Sequence, residues 1–216
     1  MGLLRFKSAL HNTIIIFGLF ALGFVIQLNG ASLLFRTVSF WTFFYMVVIF
    51  LILSRTLWKL SQQLDLHLVN ARFTLSMGLW AALLAVLLTV SAICLSLIFP
   101  GDHGSNQFIA QQFSSHKQLK FLVTFMTINL TGPILEEMLF RGLILPFISR
   151  ISHSWVIGLV VSSIVFAYLH NSDPFDPIYL IAGLGFGYLF IRSKNIGTAI
   201  LCHQLVNILA TIQLFI

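Results

Sequence analysis

Charge is what this chain has least of. Only 8% of its 216 residues are Asp, Glu, Lys or Arg, and just six are acidic. A soluble domain carries about 25% charged residues, so a water-covered globular surface is excluded. Cysteine is scarce as well. Cys94 and Cys202 both lie in apolar runs without a CxxC partner, and read as small packing residues rather than a disulfide. The chain has no HExxH box, no GxSxG elbow and no recognisable serine or cysteine triad. At this length there is no room for a sizeable soluble domain beside membrane helices. The net charge of +6 does not argue for nucleic acid, because surplus Lys and Arg in a membrane protein follow the rule that cytoplasmic loops are basic.

What the chain has in abundance is apolar length. Hydrophobic residues make up 58% of it, and the mean hydropathy is +0.98. The expected fold is all-α, a polytopic membrane helix bundle. A spanning helix needs about 20 apolar residues, and seven segments qualify or nearly so: roughly 10–28, 38–57, 74–99, 119–149, 155–170, 177–191 and 196–215. The N-terminal run behind Arg5 and Lys7 resembles a signal sequence, but without a convincing cleavage site it reads as a retained first helix. Residues 1–118 then hold three spans and an outer loop, and residues 119–216 hold the rest. With the N-terminus inside, Arg5, Lys7, Arg55, Lys59, Arg72, Arg150, Arg192 and Lys194 are cytoplasmic. Arg36, Lys117 and Lys120 lie outside, with Asp173 and Asp176. That imbalance predicts an N-inside, C-outside topology. Gly183 and Gly187 of "GLGFG" lie one helical turn apart, spacing that lets two membrane helices approach closely, within the bundle or across a dimer.

Against this background the polar residues inside the spans stand out. Ionisable groups in a membrane core cost several kcal/mol unless paired or hydrated, and are functional candidates. Three clusters qualify: Glu136, Glu137 and Arg141 in "GPILEEMLFRG", His170 closing "FAYLH", and His203 with Asn207 in "HQLVN". His11, His67, His103, His116 and His153 lie near predicted ends or loops and read as interfacial.

Helical phase separates the two glutamates. Adjacent side chains diverge by about 100°. Glu137 and Arg141 are i and i+4, the favoured orientation for an ion pair, so Glu137 reads as structural. Glu136 has no partner on its own helix and is free for chemistry. Pro133, in a helix interior, predicts a kink that opens space beside Glu136. Phe166 and His170 share the i, i+4 spacing, as do His203 and Asn207. A helix running to Arg150 places Glu136 about 20 Å from its cytoplasmic end, with His203 about 10 Å shallower, a mismatch that tilt or a kink has to absorb.

Two chemistries use these atoms. Glu136 and His170 can bind and deprotonate a water, while His203 and Asn207 donate to a tetrahedral oxyanion. Alternatively, Glu136, His170 and His203 form a two-histidine, one-carboxylate zinc set with an open fourth position.

"EEMLFR" fits EExxxR, "FAYLH" fits FxxxH and "HQLVN" fits HxxxN. In that order, over residues 119–216, the chain resembles the CPBP (Abi) family of CAAX proteases and bacteriocin-processing enzymes. The resemblance implies an intramembrane endopeptidase of the cell membrane, without a cofactor in the favoured glutamate mechanism and with zinc in the alternative. Glu136 and His170 are then the water-activating pair, and His203 and Asn207 the oxyanion pair. The expected partners are the lipid bilayer and a peptide or membrane-protein substrate, in CAAX-like processing, peptide maturation or bacteriocin immunity. Two other classes compete: a non-enzymatic immunity or scaffold protein, and a proton-coupled transporter. The second lacks the paired broken helices of two similar halves.

Overall fold

The computed structural model describes residues 18, 40–63, 71–99, 118–171, 173 and 175–215. Apart from Gly18, the first expected span lies outside these residues, as do His11, His67, His103, His116 and the loop 100–107. All regular structure among the described residues is helical.

In chain order these are α1 (Phe40–Gln63), α2 (Leu75–Ile98), α3 (Gln118–Met126), a π-helical turn π1 (Thr127–Thr131), α4 (Gly132–Leu139), a second π-helical turn π2 (Phe140–Ile144), α5 (Leu145–Ser152), α6 (Trp155–Asn171), α7 (Pro177–Ser193) and α8 (Ile196–Gln213). The helix starts follow from capping chemistry. Thr74 accepts from the Met77 N–H at the head of α2. Asp176 accepts from the N–H groups of Ile178 and Tyr179 in front of α7, where Pro177 takes the first position. Asn195 accepts from the Gly197 N–H, and its own amide donates to Ala71 O at 2.8 Å, which ties the start of α8 to the start of α2. α5 and α7 end on the left-handed residues His153 and Lys194, which satisfy late carbonyls and let the chain turn back sharply.

The expected single fourth span is instead five consecutive helical pieces, and the expected kink at Pro133 is a π turn. The Gly132 N–H bonds back to Thr127 O. A Cβ on Gly132 would stand 2.8 Å from that same oxygen, so only glycine fits. Pro133 has no N–H to continue the π ladder, which leaves the Ile128 carbonyl without its ladder donor. Asn207 of α8 supplies one instead, Nδ2 to Ile128 O at 2.8 Å.

α6 packs between α5 and α7, and α2 packs against α7 and α8. "GLGFG" is what brings α7 close. A Cβ on Gly183 would stand 3.0 Å from Ser163 Cβ, and one on Gly187 would meet the Leu159 side chain, both on α6. The i, i+4 glycine pair is therefore used inside the bundle.

Polarity is distributed inside out. Leu75, Leu79, Trp80, Leu83 and Val90 of α2 are exposed, while Asn129, Glu137, Arg141 and Ser162 are buried. α2 and α8 are long and apolar enough to cross a membrane, and 155–170 and 177–193 are shorter apolar helices. So large an apolar exterior matches hydrocarbon as the surrounding medium.

Candidate active site

The site forms where α4, α6, α7 and α8 meet. Glu137 and Arg141 lie at its centre, both fully buried, with Arg141 Nη1 2.9 Å from Glu137 Oε1. Arg141 Nη2 donates to the Gly183 carbonyl at 2.8 Å. The guanidinium carbon stands 4.9 Å from the Phe166 ring centre, 5.4 Å from that of Phe186 and 5.6 Å from that of Phe140. Three ring faces, a carboxylate and a carbonyl together compensate for removing this cation from water.

Glu137 has a second partner that helical phase on one helix could not reveal. The same Oε1 atom lies 2.8 Å from His203 Nδ1. A carboxylate accepts, so His203 Nδ1 carries the hydrogen. His170 is fixed in the same sense, with Nδ1 2.7 Å from the Phe166 carbonyl. In its neutral form each ring presents a bare Nε2, and both Nε2 atoms face one oxygen. Glu136 Oε2 lies 3.4 Å from His170 Nε2 and 3.7 Å from His203 Nε2. The expected offset in depth between Glu136 and His203 is absorbed, with π1 and π2 interrupting the fourth span on either side of α4.

Aromatic packing holds the imidazoles. Phe166 lies against His170 with ring centres 4.1 Å apart, and Tyr179 stacks on His170 at 5.0 Å. Phe186 stacks on His203 at 4.5 Å and 18°. Tyr179 and Phe186 are site residues that sequence reasoning missed. Neither carries a charge or a spacing that marks it, and the flanking glycines of "GLGFG" were the nearest signal. Asn207 also reaches the site, with one amide hydrogen committed to Ile128 O and the second available.

Glu136 and His170 retain 17% and 23% side-chain exposure, against none for Glu137 and Arg141. They open onto a cavity of about 490 Å³ that Gly132, Phe166, His203 and Asn207 also line. Each fixed imidazole has the outer hydrogen bond that zinc-binding histidines use. Even so, among the described residues no group of three His, Cys, Asp or Glu side chains is arranged to hold a metal ion, Glu136, His170 and His203 included.

These features define a helical membrane protein with a polar centre of two carboxylates and two oriented imidazoles beside a largely apolar cavity. Residues 118–209 match the family described as Type II CAAX prenyl endopeptidase Rce1-like. The chain is 26% identical to the membrane-embedded CAAX protease MroQ of Staphylococcus aureus over 140 residues, 59% of this chain and 54% of that protein. It is 31% identical to the putative membrane peptidase YdiL of Bacillus subtilis over 85 residues, 39% of this chain and 34% of the relative. It is also 29% identical to UPF0177 protein YaiH of Lactococcus lactis, over 66% of this chain and 62% of the relative. The chain thus spans less than two thirds of the length of each. No solved structure matches. The likeness to this family of membrane endopeptidases thus rests on the segment 118–209, less than half of the chain.

Proposed function

We propose that this protein is an intramembrane endopeptidase that hydrolyses a peptide bond with water activated by Glu136 and His170. The observation that carries the reading is the convergence of Glu136 Oε2 and two Nε2 atoms within 3.7 Å. With both rings neutral, all three are acceptors, and none of them can donate to another. A water supplies two O–H donors there and keeps an oxygen lone pair for attack. Glu136 takes a proton from the water as its oxygen bonds to the scissile carbonyl carbon. The resulting oxyanion accepts from the free Asn207 amide hydrogen, while the hydroxyl left by the water donates to His203 Nε2. Glu136 passes that proton to His170 Nε2, 3.4 Å away, and His170 delivers it to the departing amine as the C–N bond breaks. Glu137 and Arg141 keep His203 turned toward the reacting atoms.

The reading includes the seven-span, N-inside topology in the cell membrane, and substrates in CAAX-like processing, peptide maturation or bacteriocin immunity. It needs no metal. The decisive experiment measures cleavage of internally quenched peptides by the purified chain in detergent micelles. Glu136→Gln is expected to lower kcat by about 10²–10⁴-fold with the thermal midpoint unchanged, and chelators are expected to leave wild-type activity intact. Cleavage by Glu136→Gln at the wild-type rate overturns the assignment. Loss of activity to chelators with rescue by zinc moves it to the metal reading. Protection from a bacteriocin that survives loss of both Glu136 and His170 favours a non-enzymatic immunity protein, and proteoliposome flux requiring Glu136 favours a transporter.

A further inference from the structure

The cavity at Glu136 extends well beyond the reacting atoms, and one of its walls lies outside the segment 118–209. Thr89, Ala92 and Ser96 of α2 line it, together with Val206 and Ala210 of α8 and Leu214 just past its end. On α2 the inward stripe runs Ala81, Ala85, Leu88, Ala92, Ser96, one helical face at spacings of three and four. The first three are buried, Ala92 is half-buried and Ser96 is exposed. α8 repeats the pattern, with Ala199, Cys202 and His203 buried, Val206 half-buried and Ala210 exposed. Along both helices these inward residues grow more exposed beyond Leu88 and His203, where they line the cavity whose polar apex is formed by Glu136, His170 and His203.

Leu88, the last buried residue of this α2 stripe, is held by α7. A Cβ on Gly185 would stand 3.1 Å from both Leu88 δ carbons. Beyond it the wall is small and dry. The Thr89 hydroxyl donates to Ala85 O at 2.9 Å and the Ser96 hydroxyl to Ile93 O at 2.8 Å. Both are turned onto their own helix, which leaves carbon facing the cleft, and Ala92 between them contributes one methyl group.

We infer that Ala92 is a specificity-determining residue: its methyl group sets the width of a cleft that receives an apolar side chain of the substrate next to the scissile bond. The inference rests on the endopeptidase reading and names the side-chain class it selects. An apolar side chain fits because Thr89 and Ser96 turn their hydroxyls onto their own helix and Ala92 adds only a methyl group, and because the cleft is continuous with the polar apex where a carbonyl carbon would meet the water. Selection thereby falls to a helix outside the family-matched segment, so relatives can share the apex chemistry and differ in this wall.

The test uses the full chain in lipid nanodiscs and quenched peptides that differ only in one residue beside the cleaved bond: Ala, Val, Leu or Phe. Ala92→Leu narrows the cleft, and is expected to lower kcat/KM for the Leu and Phe peptides at least about tenfold relative to the Ala peptide. Ala92→Gly widens it and is expected to shift the ratio the other way. Val86→Phe, on the exposed face of α2, is expected to leave the ratio at its wild-type value. An unchanged ratio in both Ala92 variants overturns the inference, as does an equal change in Val86→Phe. Wild-type cleavage confined to an S-farnesyl cysteine peptide overturns the side-chain occupant. Cleavage of no peptide at all overturns the endopeptidase reading, and this inference with it.

Discussion

At the scale of single residues, the adjacent carboxylates answer to different partners. Glu137 Oε1 accepts from both Arg141 and His203 without exposure, whereas Glu136 faces the cavity and two imidazole edges. Removing Glu137 leaves a fully buried guanidinium with only a carbonyl and aromatic faces. Glu137→Ala is therefore expected to destabilise the protein by about 3–5 kcal/mol, seen as a lowered thermal midpoint in detergent, while Glu136→Ala leaves that midpoint near wild type. Equal midpoints for the two variants would remove the basis for separating them. Glu137→Gln keeps an oxygen for His203 Nδ1 and loses the charge opposite Arg141. Its expected signature is a fall in kcat with KM nearly unchanged. The pairing of Glu137 with Arg141 was legible as an i, i+4 spacing. The bond to His203 was not, because it joins residues 66 positions apart.

At the scale of elements, the short helix α4 carries both glutamates between two π turns, and α8 is latched to the first of them. Gln204 donates to Leu130 O at 3.3 Å, Asn207 to Ile128 O at 2.8 Å and Thr211 to Asn129 Oδ1 at 3.1 Å. Ser162 of α6 does the same for the second π turn, donating to Phe140 O at 3.2 Å. Each side chain meets backbone or amide groups near a place where regular α-helical pairing is interrupted. Gln204→Leu is expected to cost about 1–3 kcal/mol and to reduce activity through the placement of α4, read as a lowered midpoint alongside a lowered kcat. A midpoint unchanged within error would show that the latch does not hold π1. Gly183→Val tests the α6–α7 approach: the added carbons press on Ser163 and shift the carbonyl that Arg141 uses, for an expected loss of about 1–3 kcal/mol. "GP" at 132–133 signalled an interruption in the sequence. Its form was not legible, because whether a proline kinks a helix or terminates a π turn depends on who satisfies the freed carbonyl, and that donor sits on α8.

At the scale of the whole molecule, an apolar exterior surrounds a polar interior. The chain is expected to sediment with membranes and to be released by detergent but not by alkaline carbonate. Release by carbonate would contradict the reading of its surface. For the proposed N-inside topology, cysteines placed at the exposed positions 173 and 192 in a Cys94→Ser, Cys202→Ser background are expected to react with an impermeant maleimide from opposite sides. Same-side labelling would reverse the assignment of charge to loops. The active cleft also crosses the division at residue 118, because Thr89, Ala92 and Ser96 line it alongside the later helices.

The sequence by itself determined the class of solvent, the all-helical fold, the ion pair within one helix and the three polar motifs, because hydropathy and helical spacing are local properties. Only the tertiary structure decided that Glu136 faces both imidazoles and that Glu137 orients one of them. It also decided that two π turns rather than a kink frame the glutamates, and that α2 supplies a wall of the cleft. Those facts depend on the angles at which helices cross and on hydrogen bonds between distant segments, where no spacing along one chain can register them.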